Sequence, residues 1–162
     1  MQLANLLKQN DRFRALLTQN PPVLNASAPT VSAWNIGQHL DHCLKVNNVI
    51  IGSIEKGQPS QEPGITFLGR AVLLLGFIPR GRGKSPKAVL PQAATTAQLY
   101  QILNEERGRL EKLAQDSKRI LSPERVMKHP RFGWLTAFQA LRFLGIHNEH
   151  HLKIIRDIRK RG

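Results

Sequence analysis

The chain has 162 residues, 41% of them hydrophobic, and sets 24 Lys and Arg against 11 Asp and Glu, for a formal net charge of +13. That length suits one domain, 1–162, around one sizeable core. No run of about 18 apolar residues occurs, so no transmembrane helix is implied, and a single cysteine, Cys43, excludes an internal disulfide.

The opening MQLANLLKQNDRFRALL has no basic start followed by an apolar run and a small-residue cleavage site. With no secretion signal read and a lone thiol, a cytoplasmic protein without membrane attachment is expected. The first helix is expected over 2–19, with Leu3, Leu6, Leu7, Phe13, Leu16 and Leu17 as its apolar stripe. Asn20-Pro21-Pro22 stops it, and a polar, proline-containing stretch follows. The second helix is expected over 35–56, with Ser32 or Asn35 as cap and Gly57 as stop. The piece 65–78 reads as a short helix, although so short an apolar run does not declare its period. A basic loop, 79–91, carries Arg80, Arg82, Lys84 and Lys87 without an acid.

The third long helix is expected over 93–117. Leu99, Ile102, Leu110 and Leu113 form its buried face, and Glu105, Glu106, Arg107, Arg109, Glu111 and Lys112 its wet one. A connection over 121–133 leads to the last helix, 134–158. No run alternates β-branched with polar residues, so a sheet is not expected. Four amphipathic helices joined by connections of mixed length, plus a short extra helix or loop insertion, point to an all-α four-helix bundle.

Five of the six histidines fall on two of these helices. On the last one, Phe138, Leu141, Leu144, His147, His151, Ile154 and Ile158 follow at steps of three and four, which predicts a single face. His147 and His151 thus stand where packing alone would place Leu or Ile, and a buried imidazole must satisfy both ring nitrogens. Two imidazoles four residues apart can converge on one metal ion. On the second helix His42 is flanked by Cys43, Val46 and Val49 and is expected to point inward, against that pair. The bland reading is that these are satisfied core histidines. His150 lies off the seam, and Cys43 reads as core filler, because helix neighbours diverge by about 100°.

Other motifs fail. GRGKSP has a P-loop's Gly-Lys-Ser but Ile78 where the first glycine belongs, and no HExxH is present. The basic charge is diffuse and has no interleaved aromatics, so specific nucleic-acid binding is not expected.

Two segments, WNIGQHLDHC (34–43) and HPRFGWLTAFQALRFLGIHNEHHLKII (129–155), resemble the signatures of DinB/YfiT-like proteins. In that family a ligand histidine follows the Trp by eight positions, which is His42, and an H-x-x-H-H block supplies two more, His147 and His151. The resemblance implies an antiparallel four-helix bundle with a long crossover, a divalent ion (zinc or nickel), and often a homodimer. Some members are transferases or isomerases that use low-molecular-weight thiols. Many members carry Gln three residues after the last ligand, where this chain has Ile154, so orientation of that ligand is expected to rest on other groups.

The function expected is divalent-metal binding at His42, His147 and His151. It is coupled to a transferase or hydrolase reaction with a thiol or an activated water, or else to no catalysis. A basic nucleic-acid-binding protein is the third reading. An anionic or thiol substrate fits the basic loop. No carboxylate pairs obviously with the site, so turnover is left open.

Overall fold

The computed structural model describes residues 2–19, 22–81 and 85–161. Asn20 and Pro21 of the expected stop, and Arg82 and Lys84 of the basic loop, lie outside the described residues. The protein is mostly helical. In chain order it has α1 (Gln2–Thr18), α2 (Pro22–Asn25), α3 (Ile36–Lys56), α4 (Phe67–Leu75), α5 (Thr96–Gln115), α6 (Ser117–Leu121), β1 (Arg125–His129), β2 (Gly133–Thr136) and α7 (Ala137–Arg161). A 3-10 turn, Lys87–Val89, interrupts the basic loop. No described helix is long and apolar enough to cross a membrane.

Local chemistry sets the helix starts. Asn35 accepts from the Gln38 backbone N–H while the Gln38 side chain accepts from the Asn35 N–H, a reciprocal box that begins α3. Thr95 and Gln98 repeat the device at α5. Thr66 caps α4, and Gly76, at φ 69°, ends it in the left-handed region open to glycine.

The long helices pack pairwise: α3 on α7 and on α5, and α1 on α5 and on α7. One apolar cluster joins Ile50, Ile51 and Ile54 of α3 to Leu110 and Leu113 of α5 and to Leu141 and Leu144 of α7. A second joins Phe13 and Leu16 to Leu40, Leu44, Leu99, Leu103, Leu152 and Ile155. Along α7, His147 and His151 fall between the last residue of the first cluster and the first of the second.

Three expectations are corrected. First, a two-stranded antiparallel hairpin, β1–β2, stands where only a connection and a helix start were expected. Its strands are four and five residues long and one is bulged between Arg125 and Met127, so they are too short and irregular to show an alternating pattern. Gly133 allows the turn: its φ is 76°, and a Cβ there would lie 2.6 Å from the Gly64 carbonyl oxygen. His129 fastens the same turn, its Nδ1 accepting the Arg131 and Phe132 backbone N–H groups. The last helix therefore starts at Ala137 rather than 134, capped by a Thr136–Gln139 box.

Second, Phe138 leaves the α7 seam and is 43% exposed. Each step of three falls about 60° short of a full turn, so three in a row carry Phe138 roughly 180° from His147. Third, Glu106 is buried rather than wet. The real stripe of α5 is Leu99, Leu103, Glu106, Leu110 and Leu113, whose steps of four and three run straight through it.

Candidate metal centre

Two helices build the site. His39 and His42 lie one turn apart near the start of α3, and His147 and His151 one turn apart in the middle of α7. The packing of α3 on α7 brings His42, His147 and His151 together, with one ring nitrogen from each within 4.8 Å of the others. All three rings are buried.

The His42 Nδ1–H donates to the Val89 carbonyl at 2.6 Å, which leaves the lone pair on Nε2. That Nε2 stands 3.2 Å from His147 Nε2. An ion held at zinc–imidazole bond lengths in a tetrahedron spaces neighbouring ligand nitrogens about 3.3 Å apart. His147 Nδ1 is buried without a partner among the described residues. If His147 donates from Nε2 to His42, its Nδ1 lone pair is orphaned. If its proton sits on Nδ1, two lone pairs face each other. A cation between the two Nε2 atoms relieves the second arrangement, so the donor set fits a divalent ion.

Sequence reasoning missed the surroundings of this cluster. The 87–92 segment is pinned over α3. Beyond the Val89 carbonyl, Lys45 Nζ donates to Leu90 O, and the Gln92 N–H donates to Asp41 Oδ2. Asp41 also pairs with Lys45 at 2.7 Å, and Glu149 pairs with Arg12 at 2.6 Å, so both carboxylates beside the histidines in sequence are engaged elsewhere. The Trp34 ring lies 5.0 Å from His42 and 5.3 Å from His39, and is stacked 6.4 Å from His151. His39 is buried and is not one of the three converging residues; its Nδ1 lies 2.9 Å from His151 Nδ1. Ile154, where a Gln was noted as absent, packs in the apolar core. Cys43 is fully buried, and burial pushes its thiol well up, as a core filler requires. In the basic loop, Arg80 is tied to Asp157 at 2.7 Å.

The sequence model of the DinB superfamily matches residues 5–155. The chain belongs to the DinB superfamily. No curated protein and no solved structure matches it. The two segments that carried the resemblance, 34–43 and 129–155, are the ones that place Trp34, His39 and the three converging histidines in this DinB-superfamily chain.

Burial keeps these imidazoles neutral. His39 is brought down to about 4, by desolvation first and then by His42, His150 and Arg80. Desolvation likewise lowers His42, against the Val89 carbonyl bond, and it lowers His147 and His151 strongly. His129, in the hairpin turn, is also brought down to about 4 by burial. Between these lowered values and the ordinary value near 6.5, the unfolded chain binds protons that the folded chain does not. Metal-free protein should therefore be most stable above about pH 6.5 and lose stability as the pH falls from there toward 4. Urea midpoints at pH 7.5, 6 and 5 read this directly; a midpoint that rises on acidification in the Glu106→Gln variant as well would mean that the buried rings are charged in the fold.

Proposed function

We propose that this DinB-superfamily protein binds one divalent ion through His42, His147 and His151, inside an antiparallel four-helix bundle of α1, α3, α5 and α7. The observation that carries the reading is the convergence of three buried, neutral imidazoles, two of them facing each other Nε2 to Nε2 at 3.2 Å. Neutral ligands leave a divalent ion its full charge, and three of them leave a coordination position open. Zinc and nickel both suit an imidazole donor set. Bound there, such an ion supplies Lewis acidity toward an oxygen or a thiol. The protein's own contribution is to hold the rings neutral, fix the His42 tautomer through Val89, and wall the site with Trp34.

With Asp41 and Glu149 engaged elsewhere, a transferase or hydrolase reaction here takes its nucleophile from the substrate side, as a low-molecular-weight thiol or a water. A second reading, a non-catalytic metal-binding bundle, is favoured by the burial of all three rings. Turnover with thiol substrates separates the two.

The test of the shared reading is elemental analysis of tag-free protein, expected to give one ion per chain, together with melting curves. Metal that binds only the folded state stabilises it by about 2.7 kcal/mol at a hundred times its dissociation constant. A chelator should lower the Tm by several degrees at pH 7.5 without unfolding the protein at room temperature. Metal-loaded protein whose Tm ignores the chelator would place the ion outside the core.

A homodimer belongs to the same proposal. On α4, Phe67 and Leu74 are 88% and 81% exposed, with Leu68 and Leu75 exposed beside them on the same side of the helix. An apolar face of this kind marks an interaction surface. Sedimentation should show a dimer for the wild type and a monomer for Leu74→Glu, with metal content unchanged. A monomeric wild type at micromolar concentration would sink the dimer.

A further inference from the structure

His39 is 2% exposed and stands one turn before His42, yet it is not among the three residues whose nitrogens converge. Its ring is spent on two other contacts. Nδ1 lies 2.9 Å from His151 Nδ1, and Nε2 lies 3.0 Å from Ser32 Oγ. Ser32 in turn accepts the Trp34 backbone N–H at 3.1 Å and takes no part in capping α3, which Asn35 does. The result is a continuous line, Ser32–His39–His151, running from the loop ahead of α3 across to α7.

Between two neutral imidazoles that meet Nδ1 to Nδ1 there is room for one proton. The line can therefore run in only two directions. In the first, His39 donates from Nε2 to Ser32 Oγ and accepts at Nδ1, so His151 carries its proton on Nδ1 and shows a lone pair at Nε2. In the second, the Ser32 hydroxyl donates to His39 Nε2, His39 donates from Nδ1, and His151 is left with Nε2–H, a donor that no metal ion accepts. The Ser32 hydroxyl, with two lone pairs and one proton, can accept the Trp34 N–H in either direction. The far nitrogen of His151 therefore decides between them: in the second direction its Nε2–H needs an acceptor. Among the described residues no hydrogen bond engages His151 Nε2.

We propose that His39 and Ser32 are positioning residues that hold His151 in its Nδ1–H tautomer, aiming its Nε2 lone pair at His42 and His147. This rests on the metal-binding reading for its consequence, but the tautomer itself belongs to the protein alone. An acceptor on the far nitrogen of a ligating imidazole fixes the ring's orientation and tautomer, and loss of such a partner costs roughly 10–100-fold in metal affinity. His39→Leu should weaken Zn2+ binding by that factor. His39→Gln, whose amide oxygen can accept from His151 Nδ1–H, should recover most of it, and Ser32→Ala should fall between.

The experiment uses tag-free full-length protein. Zn2+ affinity is measured by competition with a chromogenic chelator. Long-range proton–nitrogen spectra of histidine-labelled, metal-free protein report the tautomer of His151. The expected result is an Nδ1–H His151 in wild type and a mixture of tautomers in His39→Leu. A wild type that binds no Zn2+ defeats the metal reading and leaves the spectrum to decide the relay. A wild type that binds Zn2+, with His39→Leu binding it equally well, overturns the relay alone. So does an Nε2–H His151 in the metal-free wild type, or a His39→Gln as weak as His39→Leu. Should His39→Leu fail to fold by circular dichroism, the wild-type spectrum and the Gln and Ser32→Ala affinities decide it.

Discussion

Replacing His147 or His151 with alanine should leave protein that carries no ion through desalting, and His42→Ala should weaken binding severely. The three nitrogens converge from two helices, so each substitution removes one ligand without disturbing the packing of α3 on α7. Shared among four ligands, the 10–16 kcal/mol apparent binding energy of structural zinc sites assigns about 3 kcal/mol to each, on the order of a hundredfold in affinity. The loss of His42 also frees the 87–92 segment at one of its anchors, the Val89 carbonyl. His150→Ala should be milder. His129→Ala should leave metal content unchanged, because that ring serves the hairpin turn. Metal content by elemental analysis and Zn2+ titration read all five variants. Full content in all three of the first group would remove the site from these histidines.

The helices were legible because their signals are local. The spacing of Leu, Ile and Val marked the long segments to within a few residues, and α3 starts after Asn35 and stops before Gly57 as expected. The hairpin was not legible, since its stability comes from Met127 and Leu135 packing inward and from a glycine turn, not from any repeating pattern in nine residues. Thr136-x-x-Gln139 did mark the true start of α7, and went unread because Trp134 and Leu135 extend the apolar pattern backward.

The same distinction divides the site. His42, His147 and His151 could be picked out because polar side chains on apolar faces are visible in sequence. Val89 contributes a backbone carbonyl, which every residue has, so no letter at that position announces it. His39 was visible as a histidine one turn from His42, but its partner His151 lies 112 residues away, and only the fold aims the two Nδ1 atoms at each other. Glu106 could have been found. Steps of four and three from Leu99 to Leu113 run through it, and its charge disguised a core position as a wet one.

Glu106 leads to the largest expected change in stability. Its carboxylate accepts Asn10 Nδ2 from α1 at 3.2 Å and Asn47 Nδ2 from α3 at 2.9 Å, so three long helices meet on one buried acid. Burial pushes the carboxyl up, against the two amide bonds and the charge of Arg109. A raised carboxyl pKa means that the unfolded chain ionises first. This group's contribution to stability therefore falls as pH climbs from the ordinary carboxylate range to the folded value, and it stays low above that. Glu106→Ala should destabilise the protein by about 2–4 kcal/mol, because Asn47 Nδ2 loses its acceptor and the stripe gains a cavity. Asn10 is hurt less, since its amide also donates to Leu103 O. Glu106→Gln keeps the shape and one acceptor while removing the buried charge. It should lie within about 1 kcal/mol of wild type at pH 7.5 and, by removing a contribution that falls with pH, make the histidine-driven rise in stability from acid to neutral pH steeper than in the wild type. Metal content should be unchanged in both variants, which separates this polar layer from the histidine centre. Urea unfolding at pH 4.5 and 7.5 measures the whole set. If Gln proved as damaging as Ala at pH 7.5, the negative charge itself would be required, and Glu106 would have to be facing a cation rather than two amides.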